Sequence, residues 1–98
     1  MAAYVLKRFN QVTLAATTAV QLVSASGGGH NYTIINLGTG NLFIRMDQAP
    51  TGTTDPAAMK IPANYPPLPP IFVSNGLTGL YVMADAAGSI SVSDAPVY

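Results

Sequence analysis

Cysteine and glutamate do not occur in this 98-residue chain, and charge of either sign is scarce. Without cysteine there is no disulfide scaffold, no thiol nucleophile and no thiolate metal site. Charged residues make up 8% of the chain, against about 25% in an ordinary soluble domain. The acids are Asp47, Asp55, Asp85 and Asp94, the bases are Lys7, Arg8, Arg45 and Lys60, and the formal net charge is zero. Four bases balanced by four acids give no electrostatic footprint for phosphates, so nucleic acid is not an expected partner. No apolar run approaches the ~20 residues that a bilayer crossing requires, so no membrane partner is expected. Residues 1–9 carry their basic side chains after the apolar ones, the reverse of a signal peptide.

What is present is a chain that is 49% hydrophobic, too apolar for a disordered polar segment. Its length suits one domain, which at this size buries roughly 60–70% of the surface its unfolded chain exposes. The remaining surface must come from Ser, Thr, Asn, Gln, Gly, Ala and Pro. A neutral surface of that kind favours association, and permanent assembly with neighbours is the expectation. A secreted domain with a neutral surface, or an idealised small fold, would share this composition.

Short alternating runs broken by Gly, Pro and Asn dominate, and no stretch reads as a long amphipathic helix. Strands are expected at 11–15, 20–24, 31–37, 42–46, 71–74, 80–84 and 90–92. The turn at 38–41 marks 31–37 and 42–46 as hairpin partners. Residues 48–70 contain seven of the eight prolines, so no central strand is expected there. One turn of helix is plausible at 54–59, where Asp55 precedes Pro56. Pro66, Pro67, Pro69 and Pro70 form a stiff strut with Tyr65 and Leu68 as its packing contacts. The expected fold is all-β: a small antiparallel β-sandwich or barrel of about seven strands with a long proline-rich loop. Residues 1–9 are read as an N-terminal arm and 10–98 as a single β domain, with the proline-rich loop at 48–70.

The runs at 31–37, 42–46 and 80–84 are apolar on both faces. Either the chain covers the second face itself, or that face is an interface. The contact candidates are Phe43, Arg45, Tyr81 and Met83, together with Tyr4, Arg8 and Phe9 of the arm. Catalytic signals are weak. His30 follows three glycines and reads as a solvated turn residue. No G-x-S-x-G elbow is present, and Asp47, Asp55 and Asp94 each lie within three residues of a proline, where Asp serves turns. One histidine and no cysteine leave no recognised metal-ligand spacing. No catalytic residue, metal or cofactor is expected. A cleft with two converging aspartates, or a pair between His30 and an aspartate, would reopen the enzymatic reading.

Residues 32–45 run Tyr-Thr-Ile-Ile-Asn-Leu-Gly-Thr-Gly-Asn-Leu-Phe-Ile-Arg, and residues 76–88 run Gly-Leu-Thr-Gly-Leu-Tyr-Val-Met-Ala-Asp-Ala-Ala-Gly. A strand ending in Asn, a Gly turn, an apolar-aromatic-apolar strand, a proline-rich excursion and a Gly-Leu-x-Gly-Leu-Tyr strand resemble small β-sandwich virion structural proteins of tailed bacteriophages. The resemblance spans about residues 12–93 and consists of strand and turn chemistry. It implies a capsid decoration (cement) protein that oligomerises on coat subunits, located in the virion and assembled in the host cytoplasm. Its partners would be the major capsid or another virion protein, with homo-oligomerisation. A head–tail or tail component is the neighbouring alternative. Another is a carbohydrate- or receptor-binding sandwich using Tyr32, Asn64 and Tyr65.

Overall fold

Among the described residues nine strands form in chain order: β1 (Tyr4–Val5), β2 (Phe9–Leu14), β3 (Val20–Val23), β4 (His30–Asn36), β5 (Leu42–Arg45), β6 (Met59–Ile61), β7 (Ile71–Val73), β8 (Leu80–Ala84) and β9 (Gly88–Pro96). The structure, a computed structural model, describes residues 3–63, 66 and 69–97. Asn64, Tyr65, Pro67 and Leu68, which carry the expected strut contacts and part of the glycan-binding alternative, lie outside the described residues, as do Met1 and Ala2 of the expected arm.

The strands lie in two sheets, ordered β1-β3-β8-β5-β6 and β2-β9-β4-β7. All pairings are antiparallel except β1 with β3. The all-β sandwich therefore stands, with nine strands in place of about seven and, among the described residues, no helix. The two additional strands are short edges, β1 with two residues and β6 with three. β6 lies inside the proline-rich stretch but at a sheet edge, where proline-rich sequence is tolerated.

Period-2 alternation decides what each strand buries. Along β4, His30, Tyr32, Ile34 and Asn36 are buried and the residues between them half-buried. Along β9, Ile90, Val92 and Asp94 point inward. With Val12 and Leu14 they meet Leu22, Leu42, Ile44, Leu80 and Val82 of the other sheet in one core.

Three sequence expectations change here. The 31–37 and 42–46 runs are not a hairpin: β4 pairs with β7 and β9, whereas β5 pairs with β6 and β8. The Gly38–Asn41 link instead carries the chain between sheets, held by the Asn36 side chain, which accepts from Gly38 N–H (3.0 Å) and donates to Gly40 O (2.9 Å). Only the β5–β6 connection stays within one sheet, so a tight turn between two β runs is no sign of a hairpin in this chain.

The arm boundary at residue 9 falls inside the sandwich. Tyr4 and Val5 pair with Leu22 and Val23. Leu6 is only 4% exposed within the core, and its N–H donates to Val23 O at 2.7 Å. Phe9 opens β2 opposite Ser93. Leu6 ends the run Ala-Ala-Tyr-Val-Leu, which shows no two-residue alternation, so nothing local marks it as the anchor of the segment. The expected helical turn at 54–59 is a β-type turn, in which Ala58 N–H donates to Asp55 O and the Asp55 side chain accepts from Ala57 N–H (2.9 Å).

Candidate functional site

Register places eleven outward positions of the β2-β9-β4-β7 sheet in continuous rows. Phe9, Ser93 and Thr33 lie side by side, as do Gln11, Ser91 and Ile35; Thr13 adjoins Ser89. At the far end Ala95, Asn31 and Phe72 form the last row. None of these side chains is charged. Small Ser and Thr side chains fill the middle, and a phenylalanine stands exposed at each edge, Phe9 at 76% and Phe72 at 55%. Arg8 lies just off the face with its guanidinium 5.7 Å from the Phe9 ring centre. The rule that produces this face is local: Ser89-Ile90-Ser91-Val92-Ser93 sends every apolar residue inward and every serine outward.

The seven contact candidates divide between the two sheets. Phe9 is the most exposed large hydrophobic side chain among the described residues, Arg8 is exposed beside it, and Tyr4 is 38% exposed at the cleft between β1 and β2. Phe43 and Met83 face each other across β5 and β8, on the side turned away from the core, yet are 4% and 3% exposed. They are not available to a partner. Tyr81 is half-buried between Gln21 and Arg45. Arg45 is also committed within the chain: its guanidinium donates to Asp47 (2.9 and 2.6 Å) and Asp55 (2.9 Å). The second apolar face of β5 and β8 is thus closed at Phe43 and Met83 by the chain itself. Apolar content alone does not reveal which of the two sheets has its outer face covered, as this one has at Phe43 and Met83. Charge-free alternation in 89–93 was the available signal for the other.

Arg45 and Asp55 organise the excursion after β5. The Asp55 carboxylate accepts from Thr51 N–H (2.9 Å), the Arg45 guanidinium and Ala57 N–H, which together hold its pKa well below the usual carboxylate range. A carboxyl depressed below its unfolded value of about 3.9 contributes stability that is complete above that value and is lost as pH falls through the folded value. Asp55→Asn is therefore expected to lower stability at neutral pH and to flatten its decline on the acid side. Urea unfolding of both proteins from roughly pH 2.5 to 7 checks this, and parallel acid slopes would refute it.

His30 departs most from expectation. It is 3% exposed, not a solvated turn residue. Its Nδ1–H donates to the buried Asp94 carboxylate at 2.7 Å, and Nε2 lies 3.1 Å from Ser26 O and 3.4 Å from Ser26 Oγ. Beside it an open depression of about 240 Å³ is lined by Lys7, Arg8, Ser26 and Asp94 among others. Serine, histidine and aspartate thus come together as in a nucleophilic triad, but the hydrogen bonds run differently. A general base needs a ring nitrogen that accepts the nucleophile's proton. Nε2 is closer to a carbonyl oxygen, which only accepts, than to the Ser26 hydroxyl. Gly76 closes the same edge of the ring, for a Cβ built on it would lie 2.7 Å from Nε2. Gly76 N–H donates to Gly28 O and Gly76 O accepts from Ser24 N–H, so this crossing is fixed. The arrangement fastens the 24–30 segment to β9.

Tyr32 is also fully buried, its hydroxyl 2.6 Å from Ser24 Oγ, with burial raising its pKa. It is therefore not the exposed stacking ring of the glycan-binding alternative. Among the described residues no group of three or more acidic or histidine side chains is placed to hold a metal ion.

Fold and face together define a nine-strand, two-sheet β-sandwich with one uncharged outer sheet face edged by exposed phenylalanine. Comparison with known proteins finds no matching family model, curated protein or solved structure.

Proposed function

We propose that the chain is a structural subunit of a protein shell, a capsid decoration protein of the kind the sequence resemblance implies, working by contact and not by catalysis. The observation that carries this reading is the uncharged outer face of the β2-β9-β4-β7 sheet. Burying a charge costs several kcal/mol unless it is paired, and none of the eleven side chains of this face carries one, the Arg8 guanidinium beside the Phe9 ring being the charge at its margin. Phe9 and Phe72, on opposite edge strands, would each contribute about 2–4 kcal/mol at about 25 cal/mol per Å² before association costs are subtracted. The serines and threonines between them are short enough to let another surface approach and to hydrogen-bond with it.

The partner that fits is a neutral polar surface on a coat subunit. Ser91→Lys places a charge in the centre of the face without touching the core. Its unfolding free energy is expected to stay within about 0.5 kcal/mol of the parent, while co-sedimentation with assembled phage capsids that the parent decorates falls at least about tenfold, a loss of some 1.4 kcal/mol or more. Undiminished co-sedimentation of the variant would overturn the face, and absence of co-sedimentation by the parent would overturn the shell reading.

A further inference from the structure

The longest open sheet edge belongs to β2. The other edges, β1, β6 and β7, have two or three residues, whereas β2 has six. Edge strands present unpaired backbone groups, and proteins blunt them with charge, proline, bulges or a covering segment. The sequence Phe-Asn-Gln-Val-Thr-Leu contains neither charge nor proline, and its pairing with β9 runs without a bulge. Among the described residues no strand lies against its outer edge. An open cleft of about 480 Å³, lined by Gln11, Val12, Thr13 and Tyr4 among others, runs beside it.

The direction of the free groups follows from one hydrogen bond. Asp94 N–H donates to Arg8 O at 3.0 Å. In an antiparallel ladder alternate residues point N–H and C=O to the same neighbour. Arg8, Asn10, Val12 and Leu14 therefore face β9, and Phe9, Gln11 and Thr13 present theirs to the open edge.

We infer that β2 pairs with β2 of a second copy, antiparallel about a two-fold axis, with Gln11 opposite Gln11 and Phe9 opposite Thr13. A second copy is the occupant because the edge is self-complementary in this register. Phe9, Gln11 and Thr13 each donate to and accept from the opposing strand, as an isologous contact requires. The edge is neutral, so like meets like without repulsion. The two uncharged outer faces become one eight-stranded face, and the exposed Phe9 ring of each copy gains the Thr13 side chain of the other as a cross-strand neighbour. The contact is small, and the dimer is accordingly concentration-dependent. This inference extends the shell reading, on which it rests only for its biological use.

The chain has no cysteine, so single cysteines report the register. Opposed residues in a hydrogen-bonded pair have Cα atoms about 5.5 Å apart, within disulfide reach. Gln11→Cys is expected to give covalent dimers under mild oxidation, or with a short bifunctional thiol reagent. Thr13→Cys, which would meet its own copy about 13 Å away at ~3.4 Å per residue, and Ser91→Cys, on the next strand inward, are not. Gln11→Lys should weaken the dimer by at least about tenfold at low salt with an unchanged melting temperature. Equal cross-linking of all three cysteine variants, cross-linking of Thr13→Cys instead of Gln11→Cys, sedimentation as a monomer at high concentration, or dimerisation only through another protein's strand would each overturn it. Dimers that fail to attach to capsids would instead remove the shell reading and leave this pairing standing. Attachment by a chain that never cross-links at Gln11→Cys would do the reverse.

Discussion

Leu6→Ala is expected to lower the unfolding free energy by about 2–5 kcal/mol, the usual cost of emptying a buried leucine site. At about 4–8 °C of melting temperature per kcal/mol for a domain of this size, the fall is roughly 8–40 °C. Leu6 is the one buried side chain among described residues 3–9, and its N–H donates to Val23 O. It pins the crossover between β1 in one sheet and β2 in the other. The neighbouring Val5 is 57% exposed, so Val5→Ala should stay within about 0.5 kcal/mol. Removing residues 1–9 should cost more still, because it deletes β1 and Leu6 and takes Phe9 from β2. Against a total stability of about 5–15 kcal/mol, such a truncated chain is expected to be largely unfolded. Urea unfolding of the point variants and circular dichroism of the truncated chain measure these effects. A Leu6→Ala cost below about 1 kcal/mol would restore an independent arm.

Asp94→Ala is expected to cost about 1–3 kcal/mol, because it leaves the buried His30 Nδ1–H without the carboxylate that receives it. The loss reaches further than one bond. Asp94 lies on β9 beside Tyr32 of β4, and His30 holds the Ser26 segment through its other nitrogen. His30→Ala should be of similar size, and the double variant should cost clearly less than the two single costs combined, since each removes the same pairing. Ser26→Ala should be nearly silent: Ser26 is exposed, and its hydroxyl stands at the long limit of hydrogen bonding to Nε2. Chemical denaturation of the four variants tests this. Full additivity would show that the pair is not coupled, and a hydrolytic activity abolished by Ser26→Ala would make the constellation catalytic.

The strands were the most legible part of this chain. Tyr-Val-Met flanked by Leu80 and Ala84 reads as a strand with the bounds it has in the fold, because β-branched and aromatic residues alternate between clear turn signals. The central run of β9 was visible as Ile90 to Val92, but its full length of nine residues was not. Its ends, Gly88 and Pro96, are residues that ordinarily interrupt strands, and only pairing with β2 on one side and β4 on the other holds them in line.

His30 shows where local reading stops. Three preceding glycines announce a turn, and Gly28 does take a positive φ of 83°. That turn delivers His30 inward as the first residue of β4, under a backbone crossing at Gly76 that is 46 residues away in number and absent from any local pattern. Phe43 and Met83 show the same limit. Their alternation correctly sets them opposite the core-facing Leu42, Ile44, Val82 and Ala84, but nothing local says that the outer side of their sheet is closed there and that of the other sheet open.

Composition and alternation alone determined that the chain is all-β, that charge is too scarce to cover it, and which residues of each strand share a face. Those properties depend on the two-residue repeat of an extended backbone and on the identity of neighbours within a few positions. The tertiary structure alone decided which strands are adjacent, which sheet face is left uncovered and which titratable groups are buried. Those depend on contacts between segments far apart in the chain, since all but one of the connections pass from one sheet to the other, and neither the two-residue repeat nor turn chemistry carries information over that distance.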